Sequence, residues 1–171
     1  MTLVTTPGAV DADSYLDLAS FKTRVTNLGL SASGADSVLE AALRRSAIWL
    51  DANFRPRWPG TKTNGRSQSR DWPRKDAYDL EAYLLDSATI PEEILLAQVY
   101  AAVQEVSKPS SLSPVFMNGN NEKVLVEMDS MRWKTTANAH TLEEMKPVLI
   151  NVQNALSTLV SFKFAPAFGV V

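Results

Sequence analysis

A helical pattern that runs into a proline stop at residue 56 limits this chain more than any other feature. Leu39, Leu43, Ala47, Leu50 and Phe54 recur three or four residues apart, and Val38, Ala42 and Trp49 widen the same apolar face. Arg44 and Arg45 fall mostly on the other side. Ser37 and Glu40 have the spacing of a capping box, in which the serine oxygen and the glutamate each satisfy a free backbone N–H. Pro56 and then Pro59-Gly60 end the helix, because proline lacks the backbone donor and its ring crowds the preceding turn.

The stretch after the stop is basic. Between residues 54 and 75 stand Arg55, Arg57, Lys62, Arg66, Arg70, Arg74 and Lys75, opposed by Asp71 alone, a net +6. The 171 residues together carry −2, so the rest of the chain carries −8. Pro59-Gly60, Asn64-Gly65 and the small polar residues of 60–69 predict an exposed, mobile loop over 55–76. Phe54, Trp58 and Trp72 lie among its arginines. Three readings stay open for such a loop. It is a subunit contact, rich in arginine and aromatics. It is a solvated loop whose tryptophans fold into the core. Or it meets nucleic acid, with arginines on phosphate and rings stacked on bases. Trp58, Trp72 and Pro73 are the expected structural anchor, Trp72 packing against the helix before the loop.

The remaining chain reads as further helices. Residues 1–12 read as an extended or poorly ordered lead-in. Asp13 or Ser14 is the expected N-cap of a helix carrying Tyr15, Leu18, Phe21 and Val25, which Gly29 closes. Residues 77–86 suggest a short turn or helix. Thr89-Ile90-Pro91-Glu92-Glu93 opens another helix, with proline in the first turn and acids against the positive end of the dipole. Its Ala97, Ala101 and Ala102 suit close helix contact, and Lys108-Pro109 ends it. Residues 123–133 alternate as a strand that has no obvious local partner and pairs with another short strand or with a neighbouring subunit. Thr141 and Glu144 suggest a second capping box before a helix from about Lys146 to Val160. Phe162, Phe164 and Phe168 then fall at even spacing around Pro166, which predicts an extended docking tail over 161–171. The expected fold is mainly α: a small helical bundle over 1–160 with a short β-strand or hairpin, a long basic loop and an extended C-terminal tail.

Catalytic and metal chemistry find little support. His140 is the single histidine and there is no cysteine, so the common metal sites lack their partners, and no Gly-x-Ser-x-Gly elbow supports a serine–histidine triad built on it. Asp11, Asp13 and Asp17 lack the glycine and distal glutamate of a calcium loop. Glu92-Glu93 and Glu143-Glu144 are better read as helix-start acids than as an acid–base pair. No phosphate-cradling glycine motif is present. No catalytic residue, cofactor or metal is expected. The N-terminus lacks the basic and apolar regions of a signal peptide, and no apolar run approaches the roughly 18 residues of a membrane span.

The order of several short motifs carries a family resemblance. Ala12-Asp13-Ser14-Tyr15 precedes Ala41-Ala42-Leu43-Arg44-Arg45-Ser46-Ala47 and Trp49-Leu50-Asp51. Trp58, Asp71-Trp72-Pro73-Arg74 and Ile90-Pro91-Glu92-Glu93-Ile94 come next. Over about residues 10–160 the chain resembles the tailed-phage head-to-tail connector family, some members of which are labelled DnaT-like single-stranded DNA-binding proteins. The resemblance implies a non-enzymatic virion protein at the neck, assembled in the host cytoplasm as an adaptor ring, usually of twelve copies. Its implied partners are its own copies, the portal, a stopper or tail-completion protein, and the packaged double-stranded DNA passing through its channel, with no membrane. Phe162, Phe164, Pro166 and Phe168 would then dock on the portal, and the basic loop would touch a neighbouring subunit or face the channel. The long 60–69 loop and the phenylalanine-rich ending depart from many relatives. The alternative function is single-stranded DNA binding through the basic aromatic loop.

Overall fold

The computed structural model describes residues 3–112 and 149–161, and the backbone of 123–127 and 132–135. It divides into two compact units, Met1–Leu112 with Leu149–Val171, and Ser113–Val148.

In the first unit the principal helices are α1 (Leu18–Asn27), α2 (Asp36–Phe54) and α3 (Glu92–Ser107), joined by the short α4 (Ile150–Ala155). Helices α2 and α3 are shared by two apolar clusters. In one, Leu16, Phe21 and Val25 pack with Leu39 and Leu43 of α2 and with Val99 and Ala102 of α3. In the other, Leu50 and Phe54 meet Trp58, Trp72, Ile94, Ala97, Ala101, Val152 and Leu156. Ala42, Ala47, Ala97, Ala101 and Ala102 are fully buried, and their small side chains let helix backbones approach closely. The mainly helical fold expected from the sequence is present.

The helix starts differ from the expected caps. Asp17, rather than Asp13 or Ser14, caps α1, accepting the Ser20 N–H at 2.9 Å. Asp13 has another task. It accepts the Val4 N–H at 2.9 Å and the Arg44 Nε–H at 2.8 Å, tying the N-terminal segment to α2. The segment before α1 is therefore built into the fold. Ser37 does not form the capping box: the cap falls two residues earlier, at Ala35, with no side-chain cap bond. That leaves Ser37 inside the first turn, while Glu40 lies 3.8 Å from Arg44. Gly29, at φ +65°, comes after α1 where the sequence places its end. The last helix is shorter than the pattern suggests. Regular α4 ends at Ala155, and turns carry Leu156, Leu159 and Val160 into the core.

In the second unit, β3 (Lys123–Glu127) pairs antiparallel with β4 (Arg132–Thr135), with an irregularity between Leu125 and Glu127. The strand expected to lack a local partner thus finds one in its own chain. His140, the Thr141–Glu144 spacing and the tail residues Phe162, Phe164, Pro166 and Phe168 lie outside the described residues.

Candidate nucleic-acid interface

The basic loop folds back on α2 instead of projecting as a mobile strap. Once Pro56 ends α2, a 3-10 turn over Arg55–Arg57 returns Trp58 to the core. Its ring packs 5.6 Å from Phe54 and 5.8 Å from Trp72, the second contact edge-on at 77°. Gly60 then lets strands β1 (Thr61–Lys62) and β2 (Arg74–Lys75) pair antiparallel. It sits at φ +61°, and a Cβ there would lie 2.3 Å from the Lys75 carbonyl oxygen, so only glycine fits. Between the strands, the buried Gln68 amide donates to the carbonyls of Arg70 (3.0 Å) and Pro73 (2.9 Å). Ser69 Oγ donates to Ala12 at 2.7 Å, and Asn64 Nδ2 to Gly8 at 2.9 Å. Composition predicted mobility because small polar residues dominate. Here those residues serve as hydrogen-bonding ties.

Asp71 is the centre of this lobe. Its side chain is fully buried and lies 3.0 Å from both Arg55 Nε and Lys62 Nζ. Its backbone N–H donates to the Tyr15 hydroxyl at 3.1 Å. The Tyr15 hydroxyl in turn donates to Asp51 on α2, and Arg70 Nη1 lies 3.3 Å from the second Asp51 oxygen. Arg74 donates to the carbonyls of Pro59 and Gly60, each at 2.6 Å, and to that of Asp71 at 3.3 Å. Trp72 is fully buried, Trp58 nearly so, and Pro73 is buried, joined to Trp72 by a cis peptide bond. The Asp71-Trp72-Pro73-Arg74 run is therefore a structural keystone: an ion-pair centre, a core ring and a guanidinium that binds three carbonyls.

This arrangement divides the seven cations. Lys62, Arg70 and Arg74 are committed inward, and Arg55 is paired with Asp71 while its side chain stays 61% exposed. Arg57, Arg66 and Lys75 are exposed. The structure brings all seven into one lobe, but not as equivalent surface charges. Sequence pattern did not show that Arg70 and Arg74 turn inward. Nor did it single out Asp51 and Tyr15, because their partners are about 20 to 56 residues away in the chain. Phe54, Trp58 and Trp72 are all in the core and present no ring to a base. The exposed tyrosines, Tyr78 and Tyr83, stand beside Asp76, Asp79 and Glu81. Among the described residues no cluster of three or more acids or histidines could hold a metal ion, and no helix is long and apolar enough to cross a membrane.

Burial pushes the Asp51 carboxyl up to about 6, and the charge of Asp71 adds to this. The Tyr15 hydrogen bond and Arg70 oppose it without cancelling it. Burial likewise raises the Tyr15 hydroxyl well above its ordinary value. An acid whose folded pKa lies above its unfolded value of 3.8 stabilises the fold below that value and loses the contribution as pH rises to about 6. The span corresponds to about 3 kcal/mol. Urea unfolding from pH 4 to pH 7 is expected to show the wild type losing stability relative to Asp51→Asn across this window. A constant difference between the two proteins contradicts the assignment.

These features define a small, mainly helical protein with an ordered basic lobe whose aromatic rings are buried. A family model described as "Putative DnaT-like ssDNA binding protein" matches residues 1–168. The chain belongs to that family. No solved structure matches it.

Proposed function

We propose that this chain is a non-enzymatic DNA-contacting protein whose 55–75 lobe meets the phosphate backbone. The observation that carries this reading is the division of the lobe's cations. The inward ones hold the lobe in place, while Arg57, Arg66, Lys75 and the outer part of Arg55 face solvent. A lobe already ordered presents its charge without losing further conformational freedom on binding. The family's description supports DNA as the partner. With the lobe's rings buried, contact is to phosphate more than to bases, so sequence preference is weak and salt dependence steep. Anisotropy titrations with a labelled single strand test this. Arg66→Glu with Lys75→Glu is expected to weaken binding about tenfold or more at low salt, and to flatten the log–log salt slope by about one to two. Unchanged affinity in that variant contradicts the reading.

A second reading puts the same lobe on the wall of a DNA channel, in a virion adaptor ring between the portal and a stopper or tail-completion protein. The order of connector-like motifs supports it. So does the burial of Trp58 and Trp72, which leaves the lobe without the stacking rings of a single-strand binder. Salt-sensitive DNA binding by the isolated chain favours the first reading. An isolated chain that ignores DNA, yet enters portal-containing particles in multiple copies, favours the second.

A further inference from the structure

Residues 77–85 form a tight hairpin turn. Leu85 N donates to Ala77 O at 2.8 Å, Asp79 N donates to Tyr83 O at 3.0 Å, and Tyr78 and Leu84 make an antiparallel bridge. On this turn Tyr78, Leu80, Tyr83 and Leu84 are 52%, 57%, 67% and 64% exposed. Single exposed apolar side chains are ordinary, but four within seven residues make a patch. Its charge is one-sided: Asp76, Asp79, Glu81 and Asp86 lie in and beside it, and no lysine or arginine occurs from residue 76 to 107.

The place where the chain leaves the described residues supplies an occupant. Leu80 N donates to Thr158 O at 2.8 Å, so the hairpin is hydrogen-bonded to the turn just before Ser161. Residues 162–171 come next, with Phe162, Phe164 and Phe168 at even spacing, one cation in Lys163 and no acidic side chain.

We propose that the 162–171 segment covers the hairpin of its own chain, its phenylalanines on Tyr78, Leu80, Tyr83 and Leu84 and Lys163 beside the acids. Three observations converge on this occupant. The tether is short, since Phe162 is four residues from the Thr158 contact, and a short tether gives an effective concentration of about millimolar. Ten extended residues reach about 33 Å, more than the turn requires. The charges are opposite, and even spacing lets one side of an extended segment present all three rings. Pro166, which lacks an N–H, suits a strand with one unpaired edge. A partner that takes the tail would uncover the hairpin at the same time. The proposal does not depend on DNA binding.

Limited trypsin digestion of the full chain, reading the Lys163–Phe164 bond, tests this. Tyr83→Asp with Leu84→Asp is expected to speed that cleavage about tenfold, because cleavage tracks the population of the uncovered form. The wild-type rate should not vary with protein concentration. In reverse, nitration of Tyr83 by tetranitromethane should rise several-fold when Phe162, Phe164 and Phe168 are all changed to serine. The thermal midpoint checks that both variants fold, and Tyr83 and Leu84 lie outside the apolar clusters of the described residues. Equal cleavage rates in wild type and hairpin variant, or unchanged nitration, overturn the proposal. Protection that grows with protein concentration also overturns it, by assigning the hairpin to a second copy.

Discussion

Trp72→Ala is expected to lower unfolding free energy by about 3–5 kcal/mol, the range for deleting a large ring from a packed core. Trp72 is fully buried and stands edge-on to Trp58, which leans on Phe54 at the end of α2. The cavity would open where the basic lobe joins the helices, so the lobe should loosen along with the global loss. For a domain of this size the thermal midpoint should fall by about 6–20 °C. Urea unfolding followed by far-UV circular dichroism measures the change. A loss below about 1 kcal/mol would show that the ring does not anchor the core.

Asp71→Ala is expected to cost about 3 kcal/mol, the lower end for removing one partner of a buried ion pair. The lower end applies because Arg55 is 61% exposed and can return to water, whereas Lys62 is only 24% exposed. The loss should be concentrated in the lobe. Trypsin should cleave after Arg57, Lys62 or Arg66 well before the helical core opens, because the lobe loses the carboxylate that gathers its cations. Denaturant unfolding together with mapping of the first cleavage site provides the measurement. First cleavage elsewhere, at a wild-type rate, would contradict Asp71 as the centre of the lobe.

These two variants separate what was legible in the sequence from what was not. The apolar period from Leu39 to Phe54 located α2, since a repeat of 3.6 residues puts one face on the core whatever it packs against. Thr89-Ile90-Pro91-Glu92-Glu93 located the start of α3, and Pro56 the end of α2, because proline acts through local geometry. Caps proved harder to place. Ser37 has the right spacing for a box, but helix entry is also set by the approach of the preceding chain, and the observed cap lies two residues earlier, at Ala35, which removes the bond. Asp13 was available as a cap and was taken instead by Val4 and Arg44, a contact between distant segments.

The basic lobe shows the same division. The sequence by itself determined the charge excess, the turn-forming residues and the helix that ends before them. All three are properties of adjacent residues. Only the tertiary structure decided which cations face solvent. Asp71 draws in Arg55 and Lys62, Asp51 draws in Arg70, and the carbonyls of Pro59 and Gly60 hold Arg74. Those choices depend on Tyr15 and Asp51 arriving from another segment and another helix, and on two tryptophans filling the space beneath. A buried carboxylate attracts whichever cation the folded chain brings within about 3–4 Å, and that distance is a property of the fold.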